Sequence, residues 1–221
     1  GRKQHIAANV DQIMIVMAVK PPPTRDILNR YLVSAEHESI DPILVFNKSD
    51  IDSQVFINII NQYEQLGYQV FKTSNKDPHT IDAIKPLLKD RTTVIVGQSG
   101  VGKSSLVNGL LPGVNAKVGD LSENSRLGRH TTTNARLFHF PSGGDLIDSP
   151  GIREFGLWHL EPEKIIDGFH DFEPWRFECR FRDCKHQQEP GCALQDAVQR
   201  GDVHRQRFEN YFNIYHALLA S

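Results

Sequence analysis

The chain has 221 residues, of which 39% are hydrophobic, so it can form one large domain or two with a real core. Its 25 basic and 27 acidic side chains nearly balance, which excludes a protein that binds nucleic acid through a strongly positive overall charge. No apolar run approaches the roughly 18 residues of a membrane span, and the polar first residues are not a secretory signal, so we expect a cytoplasmic protein.

In residues 12–96, apolar segments typical of buried strands alternate with segments of helical periodicity. Such alternation favours a mainly parallel sheet that is covered by helices on both faces. Pro21, Pro22 and Pro23 stop the first strand, and Gly67 ends the second helix. The predicted strands are 12–19, 42–46, 68–72 and 92–96, and the predicted helices are 24–36, 53–66 and 81–88.

The second half of the chain changes in character near residue 157. A polar stretch over 119–133 has no clear periodicity and is long for a connection, so it is either functional or mobile. Segments 135–140 and 145–147 flank a Pro-Ser-Gly-Gly turn and predict a hairpin. Beyond it, aromatic and charged residues mix and the alternation ends. We therefore expect one domain over 1–156 and a smaller, mostly helical one over 157–221.

The last predicted element is an amphipathic helix over 203–219 with its aromatic side chains on one side. We expect these rings to pack in a core rather than to form a base-stacking platform. They are Phe208, Tyr211, Phe212 and Tyr215.

A glycine-rich segment over 97–104 has the spacing of a phosphate-binding loop: a glycine, four free positions, then Gly-Lys-Ser. A β-branched run precedes it, and the residues after it can continue as a helix, which is the context that this chemistry needs. Lys103 would reach the β- and γ-phosphates, and the Ser104 hydroxyl would hold Mg²⁺. The predicted phosphate-binding residues are Gly97, Gln98, Ser99, Gly100, Val101, Gly102, Lys103, Ser104 and Ser105.

A second motif, Asn47-Lys48-Ser49-Asp50, follows a predicted buried strand and is typical of the guanine-binding loop of GTPases. The Asp50 carboxylate can accept hydrogen bonds from guanine N1–H and N2–H₂, a pair of donors that adenine lacks. Asn47 would brace neighbouring loops, and the Lys48 stem would lie over the purine. Thr73 and Ser74 either support the guanine or form an ordinary turn at the end of a strand.

A third motif, Asp148-Ser149-Pro150-Gly151, also follows a predicted strand. Asp148 would hold Mg²⁺ through water, and the Gly151 N–H would contact the γ-phosphate. The guanine motif here precedes the phosphate loop, the reverse of the order in most GTPases. Because ligands bind at the carboxyl edge of a parallel sheet, such a permutation leaves the site intact. The sequence thus predicts a circularly permuted GTPase domain.

All three cysteines lie in one short segment, which favours a metal site over a disulfide framework. Three thiolates and one imidazole make a complete set of four ligands, which is typical of structural zinc. The residues that supply them are Cys179, Cys184, His186 and Cys192. The alternative is three unrelated thiols and a surface histidine. Basic residues on the same segment either meet RNA phosphates or form an ordinary solvated face. They are Arg176, Arg180, Arg182 and Lys185, against Glu178 and Asp183.

Four features together resemble the ribosome small subunit-dependent GTPase A family. They are the permuted motif order, the Gly-Arg-His-Thr-Thr-Thr run at 128–133, the motif at 148–151 and the downstream cysteines. The resemblance implies GTP/GDP, Mg²⁺ and one Zn²⁺ as cofactors, and late assembly of the small ribosomal subunit as the role. It implies the small subunit and its rRNA as partners, and we expect a monomer without a DNA or membrane partner. The family also has an N-terminal oligonucleotide-binding barrel, but only one predicted strand and one helix precede Pro42 here.

Ile152 follows the third motif where many GTPases have a glutamine that orients the attacking water. Either hydrolysis is slow, or another group positions the water. Thr132 is the candidate to bind Mg²⁺ and γ-phosphate and so to order its loop. The family resemblance implies that His130 orients water, whereas a solvated loop histidine is the alternative. With Lys103, these two residues form the predicted catalytic set.

Three functions therefore remain open from the sequence. The first is a GTPase that is stimulated by the small ribosomal subunit. The second is an ATP-using enzyme, against which the Asn47–Asp50 motif speaks. The third is a nucleotide-gated RNA-binding module with negligible hydrolysis, which Ile152 favours.

Overall fold

The computed structural model describes residues 9–22, 25–113, 135–149 and 160–220. The strands are β1 (Gln12–Ala18), β2 (Asp41–Asn47), β3 (Gln69–Lys72), β4 (Thr92–Gly97), β5 (Arg136–His139) and β6 (Asp145–Asp148). The α-helices are α1 (Arg25–His37), α2 (Gln54–Gln65), α3 (His79–Asp82), α4 (Lys85–Leu88), α5 (Lys103–Leu110), α6 (Glu173–Arg176), α7 (Ala193–Arg200) and α8 (Arg205–Leu219). Two 3₁₀ helices, Pro162–Gly168 and His170–Phe172, precede α6.

The six strands form one sheet in the order β3-β2-β1-β4-β6-β5. All neighbouring pairs are parallel except β5 with β6, which form the predicted hairpin. Strand β1 lies in the middle, and all seven of its residues are buried. A strand that is buried on both faces reads as a continuous apolar run, which is why it was recognisable in the sequence.

Helices pack on both faces of this sheet. On one face, Met14 and Ile95 belong to the same buried cluster as Ile84 of the α3–α4 segment and Leu106 of α5. On the other face, the Phe46 ring meets the Phe56 ring of α2 edge to face, with 5.1 Å between centroids. The mainly parallel sheet with helices on both faces is thus confirmed.

The boundaries of α2 follow its local sequence. Ser53 is extended, and its hydroxyl accepts the backbone N–H of Phe56, so it caps the helix N-terminus. Gly67 has φ +87° directly after the last turn. The single helix predicted over 81–88 was wrong, because α3 ends at Asp82 and α4 begins at Lys85. Pro86 explains the break, since its ring lacks an N–H and would clash with a carbonyl in the preceding turn.

The chain divides into two compact units: residues 1–24 with 38–155, and residues 25–37 with 156–221. We expected all of residues 1–156 to form one domain, but α1 groups with the C-terminal unit. Val33 of α1 packs in the core of that unit with Ile165 and Phe169. A Cβ on Gly168 would come within 2.6 Å of Val33 Cα, so α1 approaches this segment at backbone distance.

The C-terminal unit uses the aromatic side of α8 for its core, as predicted. Tyr211 and Tyr215 are buried there, and Phe208 and Phe212 pack against the same cluster. The Tyr211 ring contacts those of Phe169 and Phe172 edge to face. Among the helices in the described part of the chain, none combines the length and apolar character needed to cross a membrane.

Candidate nucleotide site and candidate metal centre

The carboxyl ends of β1, β2, β4 and β6 lie at one edge of the sheet, because these strands are parallel neighbours. The phosphate-loop segment begins at Gly97, the last residue of β4, which pairs with Val16 of β1. A Cβ on Gly97 would approach the Val16 carbonyl oxygen to 2.8 Å, so only glycine fits where these two strands leave the sheet. The loop is therefore held against the middle of the edge.

Helix α5 begins directly after Gly102, whose φ is +91°. No side chain caps this N-terminus, so the first backbone N–H groups of α5 remain available to an anion. Glycine is required at 102 for conformation and for space, because a Cβ there would lie 2.3 Å from Asn47 Nδ2. This uncapped helix start fits a phosphate group.

Gly102→Ala is expected to reduce the free energy of unfolding by about 2–3 kcal/mol, from the left-handed backbone and the displaced Asn47 hydrogen bond. Urea denaturation measures this loss. Gly67→Ala is the matched control, since Gly67 has a similar φ of +87° and nothing within 4 Å of its added Cβ. It should cost only about 1–2 kcal/mol, and equal losses would show that contact with Asn47 contributes nothing.

Lys103 is buried and links the phosphate loop to the end of β6. Its Nζ lies 2.8 Å from Asp148 Oδ1 and donates to the backbone carbonyl of Ser149. Ser104 is the next residue on α5, and its hydroxyl and the Asp148 carboxylate are oxygen donors of the kind that Mg²⁺ prefers. The donor set fits a hard divalent cation, and Lys103 is the cation beside it that would meet phosphate.

Asn47 connects three loops of the edge and is fully buried. Its Nδ2 donates to the Val101 carbonyl (2.9 Å), and its Oδ1 accepts the Thr73 hydroxyl (3.0 Å). The backbone N–H of Ser49 donates to the Thr73 carbonyl at 3.0 Å. The guanine motif, the loop after β3 and the phosphate loop are thereby joined through one amide side chain.

Lys48 has a left-handed backbone with φ +58°. Its Nζ donates to the carbonyls of Gly100 and Lys20, both at 2.7 Å. These bonds hold the aliphatic stem across the edge, between the phosphate loop and the chain that leaves β1. The sequence motif predicted the position of this lysine but did not reveal the contact with Lys20.

Asp50 has both carboxylate oxygens engaged. Its Oδ1 accepts the Ser74 hydroxyl (2.7 Å), and its Oδ2 pairs with Lys76 Nζ (2.6 Å). Hydrogen bonds from Lys76 and Ser74 lower the pKa of the Asp50 carboxyl, so it remains an ionised acceptor at neutral pH. Lys76 was missed in the sequence analysis, although it lies only two residues beyond Ser74.

The other predicted site residues either lie in these same loops or lie outside the part of the chain that the structure describes. Gln98 and Ser99 lie between Gly97 and Gly100, the Gln98 carbonyl accepts the Val101 N–H, and Ser105 is in the first turn of α5. His130, Thr132 and Gly151 lie outside the described residues, as do the polar stretch 119–133 and Ile152.

The four predicted zinc ligands converge in the C-terminal unit, with all four ligand atoms within 4.8 Å of one another. His186 Nδ1 lies 3.5 Å from Cys179 Sγ and 3.4 Å from Cys192 Sγ, and these two sulfurs are 3.9 Å apart. Tetrahedral Zn²⁺, with Zn–S near 2.3 Å and Zn–N near 2.05 Å, needs edges of about 3.8 Å and 3.6 Å. The cluster fits zinc, with Nδ1 as the ligating nitrogen.

The electrostatics of this cluster suit a metal that displaces protons. Burial raises the pKa of the Cys192 thiol to about 12 and also raises the pKa of Cys184. Burial lowers the pKa of His186, which keeps its imidazole neutral and able to donate a lone pair. Zinc binding would therefore release thiol protons and weaken as the pH falls.

One of the four basic residues beside the cysteines takes part in local ion pairs. Arg176 forms ion pairs with Asp167 and Glu173, and its guanidinium lies over the Phe177 ring. Its charge is thus compensated locally. Arg180, Arg182 and Lys185 are exposed.

A sequence model of the RsgA GTPase family matches residues 1–158. This chain belongs to the RsgA GTPase family. The Small ribosomal subunit biogenesis GTPase RsgA of Chromohalobacter salexigens is 50% identical over 221 residues, which are 99% of this chain and 65% of that protein. The RsgA of Hahella chejuensis is also 50% identical, over 99% of this chain and 64% of that protein.

Two solved structures resemble the chain. YjeQ from Thermotoga maritima has a TM-score of 0.79 and 34% identity, over 96% of this chain and 73% of that one. YloQ, described as a circularly permuted GTPase, has a TM-score of 0.74 and 32% identity, over 96% of this chain and 69% of YloQ. The permuted GTPase fold predicted from the motif order is thus confirmed. The chain spans somewhat less than two thirds of the length of these two RsgA relatives.

Proposed function

We propose that this protein binds GTP, hydrolyses it to GDP and phosphate under stimulation by the small ribosomal subunit, and acts in late assembly of that subunit in the cytoplasm. One observation carries the nucleotide part. Asn47 and Lys48 donate directly to the carbonyls of Val101 and Gly100. The guanine motif and the phosphate loop therefore meet at one edge of the sheet although they are far apart in sequence.

The choice of GTP over ATP rests on Asp50. Its carboxylate is ionised and is oriented by Ser74, so it can accept the paired N1–H and N2–H₂ donors of guanine. Adenine has no such donors, so its binding would give up two charge-assisted hydrogen bonds to the carboxylate. Lys48, anchored at its Nζ, would lie along the purine.

At the opposite end of the nucleotide, Lys103 and the start of α5 would hold the phosphates. The Lys103 ammonium group now contacts Asp148 and the Ser149 carbonyl, so its third N–H donor would be the one to meet phosphate. Mg²⁺ would neutralise phosphate charge, and Ser104 and Asp148 are the residues to hold it. Catalysis would then be positioning and charge neutralisation, with Thr132 and His130 as the proposed contributors from the 126–133 loop.

The ribosomal part of the proposal rests on relatives. The C. salexigens and H. chejuensis proteins are both named as small ribosomal subunit biogenesis GTPases. We propose the same partner and its rRNA here, with action as a monomer and without DNA or membrane partners. One zinc ion at Cys179, Cys184, His186 and Cys192 would support the C-terminal unit.

The test is GTP hydrolysis by this chain with and without purified small ribosomal subunits. We expect release of phosphate that rises when subunits are added, and GDP, not ADP, as the effective competitor. Loss of the stimulation in His130→Ala with nucleotide affinity retained would assign His130 to positioning the water. Competition by ADP equal to that by GDP would overturn the guanine assignment.

A second candidate is an RNA-binding module that is gated by nucleotide and hydrolyses it negligibly. The observation that favours it is Ile152, which offers no polar atom where many GTPases use a glutamine. The same assay separates the two functions, because this module would bind subunits in the GTP state without stimulated phosphate release.

A further inference from the structure

His186 has an unusual backbone for a residue with a side chain. Its φ of +61° lies in the left-handed region, and the residue is buried. This conformation turns Nδ1 toward the sulfurs of Cys179 and Cys192. Since an unsupported loop would rarely adopt it, the surrounding contacts must hold the histidine in place.

Glu189 closes the loop that carries His186. Its Oε1 accepts the backbone N–H of Lys185 at 3.0 Å. Its Oε2 accepts the backbone N–H groups of Gln187 and Gln188 at 2.9 and 3.1 Å. One carboxylate thus binds the residues on both sides of the histidine, and charge-assisted bonds of this kind are the strong ones.

Gln195 joins this loop to the helix that begins at Cys192. Its side-chain Nε2 donates to the carbonyls of His186 (3.0 Å) and Gln187 (2.7 Å). Its backbone N–H donates to Cys192 Sγ, which is the N-cap of α7. Gln195 therefore contacts the backbone of one metal-site residue and the sulfur of another.

We propose that Glu189 and Gln195 are positioning residues of the metal centre, which set the Nδ1 atom of His186 at its distance from the three sulfurs. The inference rests on the proposed zinc site and adds two residues that the ligand spacing does not reveal. Partners of this kind, which orient ligands without touching the metal, typically change metal affinity about 10- to 100-fold when removed.

The test compares zinc affinity of the whole chain, measured by competition with a chelator, in wild type, Gln195→Leu and Glu189→Ala. Leucine approximates the size of glutamine and suits a helix, so α7 and its backbone bond to Cys192 remain. We expect about 10- to 100-fold weaker zinc binding in each variant. Gln188→Ala is the matched control, because it alters an exposed side chain of the same loop and leaves its backbone N–H bond to Glu189.

A second measurement separates positioning from general stability. In a His186→Ala background, Gln195→Leu should weaken zinc binding by much less than in the wild type, because its effect acts through the histidine. The visible spectrum of bound Co²⁺ should also change in Gln195→Leu and stay unchanged in Gln188→Ala. An undiminished loss in the His186→Ala background, or unchanged affinity in both single variants, overturns the proposal. A wild-type chain that binds no zinc overturns the metal site together with it.

Discussion

Asp50→Asn is expected to weaken GTP binding by about 10²–10⁴-fold, because two hydrogen bonds to a charged acceptor are worth about 3–6 kcal/mol together. Asparagine keeps one acceptor for N1–H but presents an NH₂ group to the guanine 2-amino group, where donor meets donor. Xanthine has a carbonyl at that position, so the variant should gain affinity for xanthosine triphosphate. Equilibrium titration with fluorescent nucleotides measures both changes.

Lys76→Ala is the companion variant, since it removes the ion pair on Asp50 Oδ2 and leaves the carboxylate in place. Lys76 is largely exposed, so its removal should change GTP affinity far less than Asp50→Asn. If Asp50→Asn leaves the GTP affinity unchanged, then Asp50 does not contact the base, and the guanine assignment fails.

Arg207→Ala is expected to destabilise the C-terminal unit by about 3–5 kcal/mol, because it removes one partner from a buried ion pair. Arg207 is completely buried, and its Nη2 lies 2.7 Å from Asp171 Oδ1. It also donates to Asn29 of α1 and stacks over the Phe169 ring at 4.4 Å. Its loss leaves the Asp171 carboxylate and the Asn29 amide oxygen without this donor.

Tryptophan fluorescence during urea unfolding reports on this unit, because Trp175 lies in α6 and the chain has only one other tryptophan, Trp158. Arg205→Ala is the matched control on the same helix, since Arg205 is exposed, and it should change stability by less than about 0.5 kcal/mol. A loss below about 1 kcal/mol in Arg207→Ala would mean that the buried pair does not stabilise the unit.

The elements that depend on residues close together in the chain were predictable from the sequence. Strand β1 was readable because it is continuously apolar, and α2 because Ser53 and Gly67 mark its ends. The phosphate-loop motif was recognisable because its glycines stand where the backbone has a positive φ or where a Cβ would clash. The order of the motifs also predicted the permuted fold, since the guanine motif precedes the phosphate loop and the carboxyl ends of parallel strands still share one edge.

The sequence alone determined the two sites proposed for this protein, a guanine nucleotide site and a Cys₃His metal centre, because their residue types and spacings are local. Only the tertiary structure decided which contacts hold those groups. Lys76 forms an ion pair with Asp50, Lys48 donates to the Lys20 carbonyl, and Gln195 donates to the His186 carbonyl. It also moved α1 into the C-terminal unit, where Asn29 meets Arg207 across 178 positions of the chain. Such contacts depend on the three-dimensional path of the backbone, so no periodicity or motif in the sequence encodes them locally.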